Sequence, residues 1–201
     1  MDRNIEQLTT CIQKRLFVEL EASGRHIHVT REQAHVLFGH DLTSDRSLSQ
    51  PGQFLAKERV QLKGPKGSID HVAVLGPCRK EAQVELSMTD GRVLGLNPPV
   101  RLSGNVKNTP GIEVVGSKGS LELAYGVVVA MRHIHMTPED AELQKVSHGD
   151  VVRLRTMTER PVVFEEVVVR VSPSYATFAH LDFDEANACG FQKGDLGMIL
   201  H

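Results

Sequence analysis

Apolar residues along this chain follow two rhythms. In residues 1–16, Ile5, Leu8, Ile12 and Leu16 recur three or four apart with charged and polar residues between them, which is the stripe of an amphipathic helix. From Phe17 onward the period is two. Residues 17–21 and 60–63 alternate, and short β-branched runs follow at 69–75, 83–87, 127–131, 151–155, 162–171 and 198–200. Turn residues separate them, including Pro65-Lys66-Gly67 and Asp90-Gly91. Many short strands of this kind predict small antiparallel barrels or sandwiches.

Helices are expected to be few. Thr30 with Gln33 has the form of a capping box, and Gly39 supplies a stop. Thr137, Pro138 and Asp140 read as N-cap, first helical residue and acidic box partner, and a third short helix is expected at 182–188, ending at Gly190. Residues 91–120 are rich in Gly, Pro and Asn and read as a long connection that also lines a site.

Superimposed on the strands is a repeat. Arg-His-Ile-His stands at 25–28 and again at 132–135, and both copies continue as RHIHxTxExA, 107 residues apart. That spacing is too long for a solenoid and predicts two related halves. Histidines at i and i+2 point roughly 200° apart on a helix, but on a strand they share one face and can reach one ion. Ile27 and Val29, like Ile134 and Met136, alternate with the histidines as a strand requires.

Two histidines seldom complete a zinc site. Extending the repeat pairs Gly76-Pro77-Cys78-Arg79 with Ser172-Pro173-Ser174-Tyr175, and residues 83–86 with 178–181 after a one-residue slip. Glu85 and His180 then become equivalent. The candidate ligand sets are His26, His28 and Glu85 in the first half, and His133, His135 and His180 in the second. Arg79, six residues before Glu85, suits a bidentate contact to phosphate or an oxyanion, or else a surface ion pair. Cys78, beside Arg79 and Lys80, has a weak case as a lowered-pKa nucleophile, because its repeat equivalent is Ser174 and no base adjoins it. The other five histidines read as exposed or locally hydrogen-bonded side chains.

Composition removes other classes. Of 201 residues, 40% are apolar and 24% charged, and the net charge is −2, so the chain is no polycation for nucleic acid. A basic grouping at Lys57, Arg59, Lys63, Lys66, Arg79 and Lys80 is either a solvated face or a place for a phosphate-bearing ligand. Three scattered cysteines form no disulfide framework or cysteine zinc site. No apolar run approaches a membrane span and no signal pattern opens the chain, so a cytoplasmic protein is expected. GxGxxG, P-loop, HExxH and GxSxG motifs are absent.

The stretches SGRHIHVT, GPCRKEAQVELS, RHIHMTPEDA and FAHLDFDEANACG resemble the PduL-type phosphotransacylases, or phosphate propanoyltransferases, of bacterial microcompartments, over about residues 18–200. The resemblance implies two small antiparallel β-barrels related by an internal repeat and capped by short helices. It implies acyl exchange between coenzyme A and phosphate on a short acyl group such as propionyl or acetyl. Two zinc ions per chain would sit on the two ligand sets. Arg79 matches the phosphate-binding arginine, Ser103 a serine lining the same pocket, and Ser23, Gly24, Lys66 and Asn187 places where the family approaches CoA.

The expected organisation is an amphipathic segment at 1–16, one barrel from 17–24 plus 128–201, and a second from 25–127 that includes the central loop. Expected partners are acyl-CoA, CoA and phosphate, with microcompartment shell or core proteins reached through residues 1–16. A homo-oligomer is compatible with this; nucleic acid and membrane are not expected. The segment before the first RHIH, Val18-Glu19-Leu20-Glu21-Ala22, is more acidic than the resemblance leads one to expect. Two other readings remain: a zinc-dependent binding or sensor module, and a metal-dependent thioester hydrolase.

Overall fold

The computed structural model describes residues 3–201. In chain order the elements are α1 (Arg3–Leu16), β1 (Val18–Ser23), β2 (His26–His28), α2 (Arg31–Phe38), β3 (Ser44–Ser47), β4 (Phe54–Lys63), β5 (Ser68–Gly76), β6 (Gln83–Leu86) and α3 (Met88–Leu94). There follow β7 (Val100–Arg101), β8 (Ile112–Val115), β9 (Ser120–Leu123), β10 (Val127–Ala130), β11 (His133–Met136) and α4 (Pro138–Gln144). The chain ends with β12 (Val151–Thr156), β13 (Val163–Val171), β14 (Phe178–Asp182), α5 (Phe183–Cys189) and β15 (Leu196–Leu200). Strands dominate, as the alternation predicts. No helix among the described residues is long and apolar enough to cross a membrane.

The chain divides into two compact units: residues 1–23, 132–181 and 185–201 form the first, and residues 24–131 with 182–184 the second. In the first, six strands close a barrel in the order β1-β14-β11-β13-β12-β15. Alternate residues of these strands (Val18, Leu20, Ile134, Met136, Leu154, Val167, Val169, Ala179, Leu181) fill its core. Helix α1 is tied to α4 by a Lys14–Asp140 pair at 3.2 Å and by the Gln144 amide donating to the Lys14 and Phe17 carbonyls. Its stripe, Ile5, Leu8, Ile12 and Leu16, is exposed. Of the segment expected at 1–16, residues 1 and 2 lie outside the described residues.

The second unit is a nine-stranded sheet running β7-β10-β6-β2-β5-β4-β8-β9, with β3 added on β4. Its core gathers Ile27, Val29, Leu62, Val72, Val74, Val84, Leu86 and Val114 beneath Ala34, Leu37 and Phe38 of α2. β9 and β10, near opposite ends of this path, are consecutive in the chain, so the sheet returns on itself through residues 124–126. The pairs are mostly antiparallel, but β2–β5, β6–β10, β7–β10 and β11–β13 are parallel. β2 leaves through α2, β3 and β4 before β5 returns beside it, and β11 leaves through α4 and β12 before β13 returns, connections long enough to bring the chain back parallel.

The repeat is visible in the ladders themselves. β2 lies between parallel β5 and antiparallel β6, and β11 between parallel β13 and antiparallel β14. Even a bulge is duplicated: between the pairs Val60–Val72 and Leu62–Ile69, and between Val152–Val167 and Leu154–Phe164, one residue opposes two. In each case the extra residue adopts left-handed backbone, His71 at φ 55 and Glu166 at φ 54.

Two expectations change. Asp90-Gly91 is not a hairpin turn but the first turn of α3, where Ser87 caps the Asp90 amide and Asp90 caps Ser87 in return. Glycine is needed there because a Cβ on Gly91 would lie 2.9 Å from Pro98. The span 91–120 is likewise not one loop, since it also carries β7 and β8. At the second histidine motif Thr137 is the N-cap as predicted, accepting from the Asp140 amide. Asp140, however, does not return a bond to Thr137; it accepts from Thr177 Oγ1, whose oxygen accepts from the Thr137 amide.

Candidate metal centres

Strand period decides what each histidine faces. Ile27 and Val29 enter the core of the second unit, so His26 and His28 take the opposite face of the strand. On β6, Val84 and Leu86 enter the same core, which leaves Gln83 and Glu85 on the histidines' face. Register completes the assembly, with Glu85 opposite His26 and Gln83 opposite His28. Ligand atoms of His26, His28 and Glu85 all lie within 4.8 Å of one another.

These atoms are oriented as a metal would need them. His26 Nδ1 lies 2.7 Å from the Gly24 carbonyl, which can only accept, so Nδ1 carries the proton and the Nε2 lone pair turns to Glu85 Oε2, 3.6 Å away. His28 Nδ1 is buried without a hydrogen-bond partner. An orphan of that kind costs about 1–3 kcal/mol, a penalty that a ligated ion removes. Two imidazole nitrogens and a carboxylate oxygen form a set that zinc takes readily when one position is kept open.

The electrostatics of His28 and Glu85 agree. Burial, and then the nearness of His26 and Arg79, push the His28 pKa well below its ordinary value, leaving a neutral ring with a lone pair. Burial favours the neutral acid of Glu85, but His26, His28 and Arg79 outweigh it and hold the carboxylate far below its usual range. Burial also lowers the His26 pKa, and the Glu85 carboxylate more than reverses that.

Arg79 and Ser103 join this cluster. Arg79 Nη1 donates to Ser103 Oγ at 3.2 Å, Gln83 Nε2 donates to the same oxygen at 2.9 Å, and Ser103 donates to Glu85 Oε1 at 3.1 Å. With two bonds accepted and one donated, the hydroxyl is saturated and holds Glu85 in place. Gln83 also donates to Glu85 Oε1 and accepts from the Gly104 amide at 2.7 Å. Gln83 was not anticipated, although its place two residues before Glu85 on a strand was the available signal. Arg79 and His28 line a cleft of about 230 Å³ with Gln53, Pro77 and Cys78. Burial raises the Cys78 thiol pKa, with Asp41 adding to the rise, which removes the lowered-pKa nucleophile reading.

The first unit builds a second cluster on the outer face of its barrel. Ile134 and Met136 enter the core, as do Ala179 and Leu181, so His133, His135 and His180 share the other face. His180 pairs directly opposite His133. This is the counterpart of Glu85 opposite His26, and the strands need no slip to achieve it. The ligand nitrogens again come within 4.8 Å of one another. His180 Nδ1 lies 3.2 Å from Glu21 Oε2, and the Tyr175 ring stacks on His135 at 4.1 Å between centroids.

The arginine of each RHIH has a bracing role. Arg25 pairs with Asp90 at 3.0 Å and Arg132 with Glu185 at 2.7 Å, so each ties its ligand strand to the helix that follows the third ligand. The places expected near CoA are scattered among elements. Ser23 ends β1, Lys66 sits in the β4–β5 turn with its stem beside Gly95, and Asn187 is exposed on α5. Of these four, Gly24 alone touches a cluster, through its carbonyl. His35 and His40 are exposed and bonded to Asp41, as expected of surface histidines.

Comparison with known proteins finds relatives along nearly the whole chain. Residues 19–192 match the family model of phosphate propanoyltransferases. A phosphate propanoyltransferase of Listeria monocytogenes is 52% identical over 98% of this chain and 93% of its own length. One of Clostridioides difficile is 50% identical over 98% and 95%, and one of Salmonella typhimurium 47% identical over 86% and 83%.

Proposed function

Because this chain belongs to the phosphate propanoyltransferase family and is an acyltransferase, we propose that it interconverts acyl-CoA plus phosphate with acyl phosphate plus CoA, on a short acyl group such as propionyl or acetyl. The observation that carries this reading is Arg79: it lines the cleft with His28, and its guanidinium is linked through Ser103 to Glu85. A phosphate in that cleft meets a planar cation of fixed orientation.

In the proposed reaction a phosphate oxygen attacks the acyl carbonyl carbon, the C–S bond breaks, and CoA leaves as the thiolate. Arg79 binds and orients the phosphate, and its charge stabilises the oxyanion of the tetrahedral intermediate, a contribution of about 3–4 kcal/mol for a good donor. Ser103 and Gln83 keep Glu85 directed at the histidines. His26, His28 and Glu85 would hold one zinc, and His133, His135 and His180 a second. Zinc held there supplies Lewis acidity and stabilises a thiolate. Among the described residues at Arg79, neither nearby candidate has the character of a covalent nucleophile: Ser103, bonded to Arg79, is saturated by hydrogen bonds, and Cys78 of the cleft is held as the thiol. Both acyl-CoA and phosphate are therefore bound before transfer. Residues 1–16 are proposed to contact microcompartment shell or core proteins through the exposed stripe of α1.

Release of CoA thiol from acetyl-, propionyl- and butyryl-CoA, with and without phosphate and chelator, tests the reading. Thiol release that requires phosphate and is abolished by chelator is expected. Release that proceeds equally without phosphate would identify a hydrolase and overturn the assignment.

A further inference from the structure

Glu21 has no part in either ligand set, yet its carboxylate stands 3.2 Å from Nδ1 of His180. The barrel explains how it arrives there. Val18 and Leu20 of β1 point into the core, so Glu19 and Glu21 point outward. β1 neighbours β14, and β14 neighbours β11, so the outer face carries Glu21, His180 and the His133–His135 pair on three successive strands. Glu21 is a group of ligating type, but its oxygens do not meet the 4.8 Å spacing that joins the three histidines. It stands beside His180, outside the cluster.

The other unit shows the contrast. Counted along the RHIH repeat, the residue equivalent to Glu21 is Val128. Val128 lies directly opposite Glu85 on the neighbouring strand, and it is buried. The histidine third ligand thus has a carboxylate beside it, and the glutamate third ligand has an aliphatic side chain. A carboxylate in place of Val128 would repel Glu85, whereas beside an imidazole N–H it fixes the tautomer and raises the basicity of the opposite nitrogen. Glu85 takes its orientation from Gln83 and Ser103 instead.

We infer that Glu21 is the positioning residue of the three-histidine centre: it accepts the Nδ1–H of His180, leaves Nε2 as the ligating nitrogen, and so sets the metal affinity of that centre alone. The inference rests on the assignment of His133, His135 and His180 as a metal site.

Zinc and cobalt(II) titrations of the full-length metal-free protein and its variants, against a chromophoric chelator, test it. Two ions are expected per parent chain. Glu21→Ala should weaken one of them by ~10–100-fold and leave the other at parent affinity. Glu21→Gln, which keeps an acceptor, should recover most of the loss, and the metal-free melting temperature should stay at the parent value in both. The cobalt(II) d–d spectrum of saturated Glu21→Ala should match the parent, because the ligand count does not change. Parent-like affinity at both ions in Glu21→Ala would overturn the inference, and so would a spectrum of altered coordination, which would make Glu21 a direct ligand. His180→Ala separates the two levels. Retention of two tightly bound ions in that variant would remove the metal site itself, whereas loss of one ion there with no effect in Glu21→Ala removes only the role of Glu21.

Discussion

At the scale of single residues, the two histidine clusters differ in what surrounds them more than in what forms them. Glu85 is ionised in a buried place because two histidines and an arginine face it, and Gln83 and Ser103 fix its rotamer. Arg79 enters this network through one nitrogen and the cleft through its position beside His28. Arg79→Ala should therefore act on phosphate and spare metal. The expected result is a fall in kcat/KM for phosphate of about 10²–10³-fold, in line with loss of ~3–4 kcal/mol from one good charge-bearing donor, with two zinc ions still bound per chain. Steady-state kinetics with metal analysis checks both parts, and loss of zinc would show that Arg79 supports the cluster instead of the substrate.

At the scale of elements, each ligand strand is held at its two ends. The arginine of RHIH braces one end to the helix after the third ligand, through Arg25–Asp90 and Arg132–Glu185. At the other end a threonine caps the next helix: Thr30 accepts from the Gln33 amide at 3.2 Å, and Thr137 from the Asp140 amide at 3.1 Å. Thr30→Ala should cost about 1 kcal/mol and lower the melting temperature by roughly 2–4 °C. Thr137→Ala should cost more than a simple cap, since Thr137, Thr177 and Asp140 form one connected network. Thermal denaturation of the two variants beside the parent checks the order. Both caps were legible because T-x-x-Q and T-P-E-D are local signals. α3 carries a local signal of the same kind, Ser87 three residues before Asp90, but Asp90-Gly91 also satisfies the turn rule and hides it. The approach of Pro98 to Gly91, which is not local, accounts for the glycine.

At the scale of the whole molecule, an ion that binds only the folded state stabilises it by mass action, by ~2.7 kcal/mol at a hundredfold excess over its Kd. Zinc-loaded protein should therefore melt several degrees above chelator-treated protein, and His28→Ala and His135→Ala should each bind one ion fewer and lose part of that gain. Calorimetry with metal analysis checks it, and equal melting of loaded and stripped protein would argue against metal at both clusters.

The sequence alone determined that the chain is mainly β, that it contains one unit twice, and which six side chains serve as ligand candidates. Those features are legible because a strand's period of two is written in neighbouring residues, and a duplicated RHIH repeats that writing. The tertiary structure decided what lies beside the ligands. Gln83 over Glu85, Glu21 beside His180, Val128 opposite Glu85 and Tyr175 on His135 are set by the order in which strands pair. Strand order is fixed by closing a sheet over a common core, a cooperative choice that no short stretch of residues encodes.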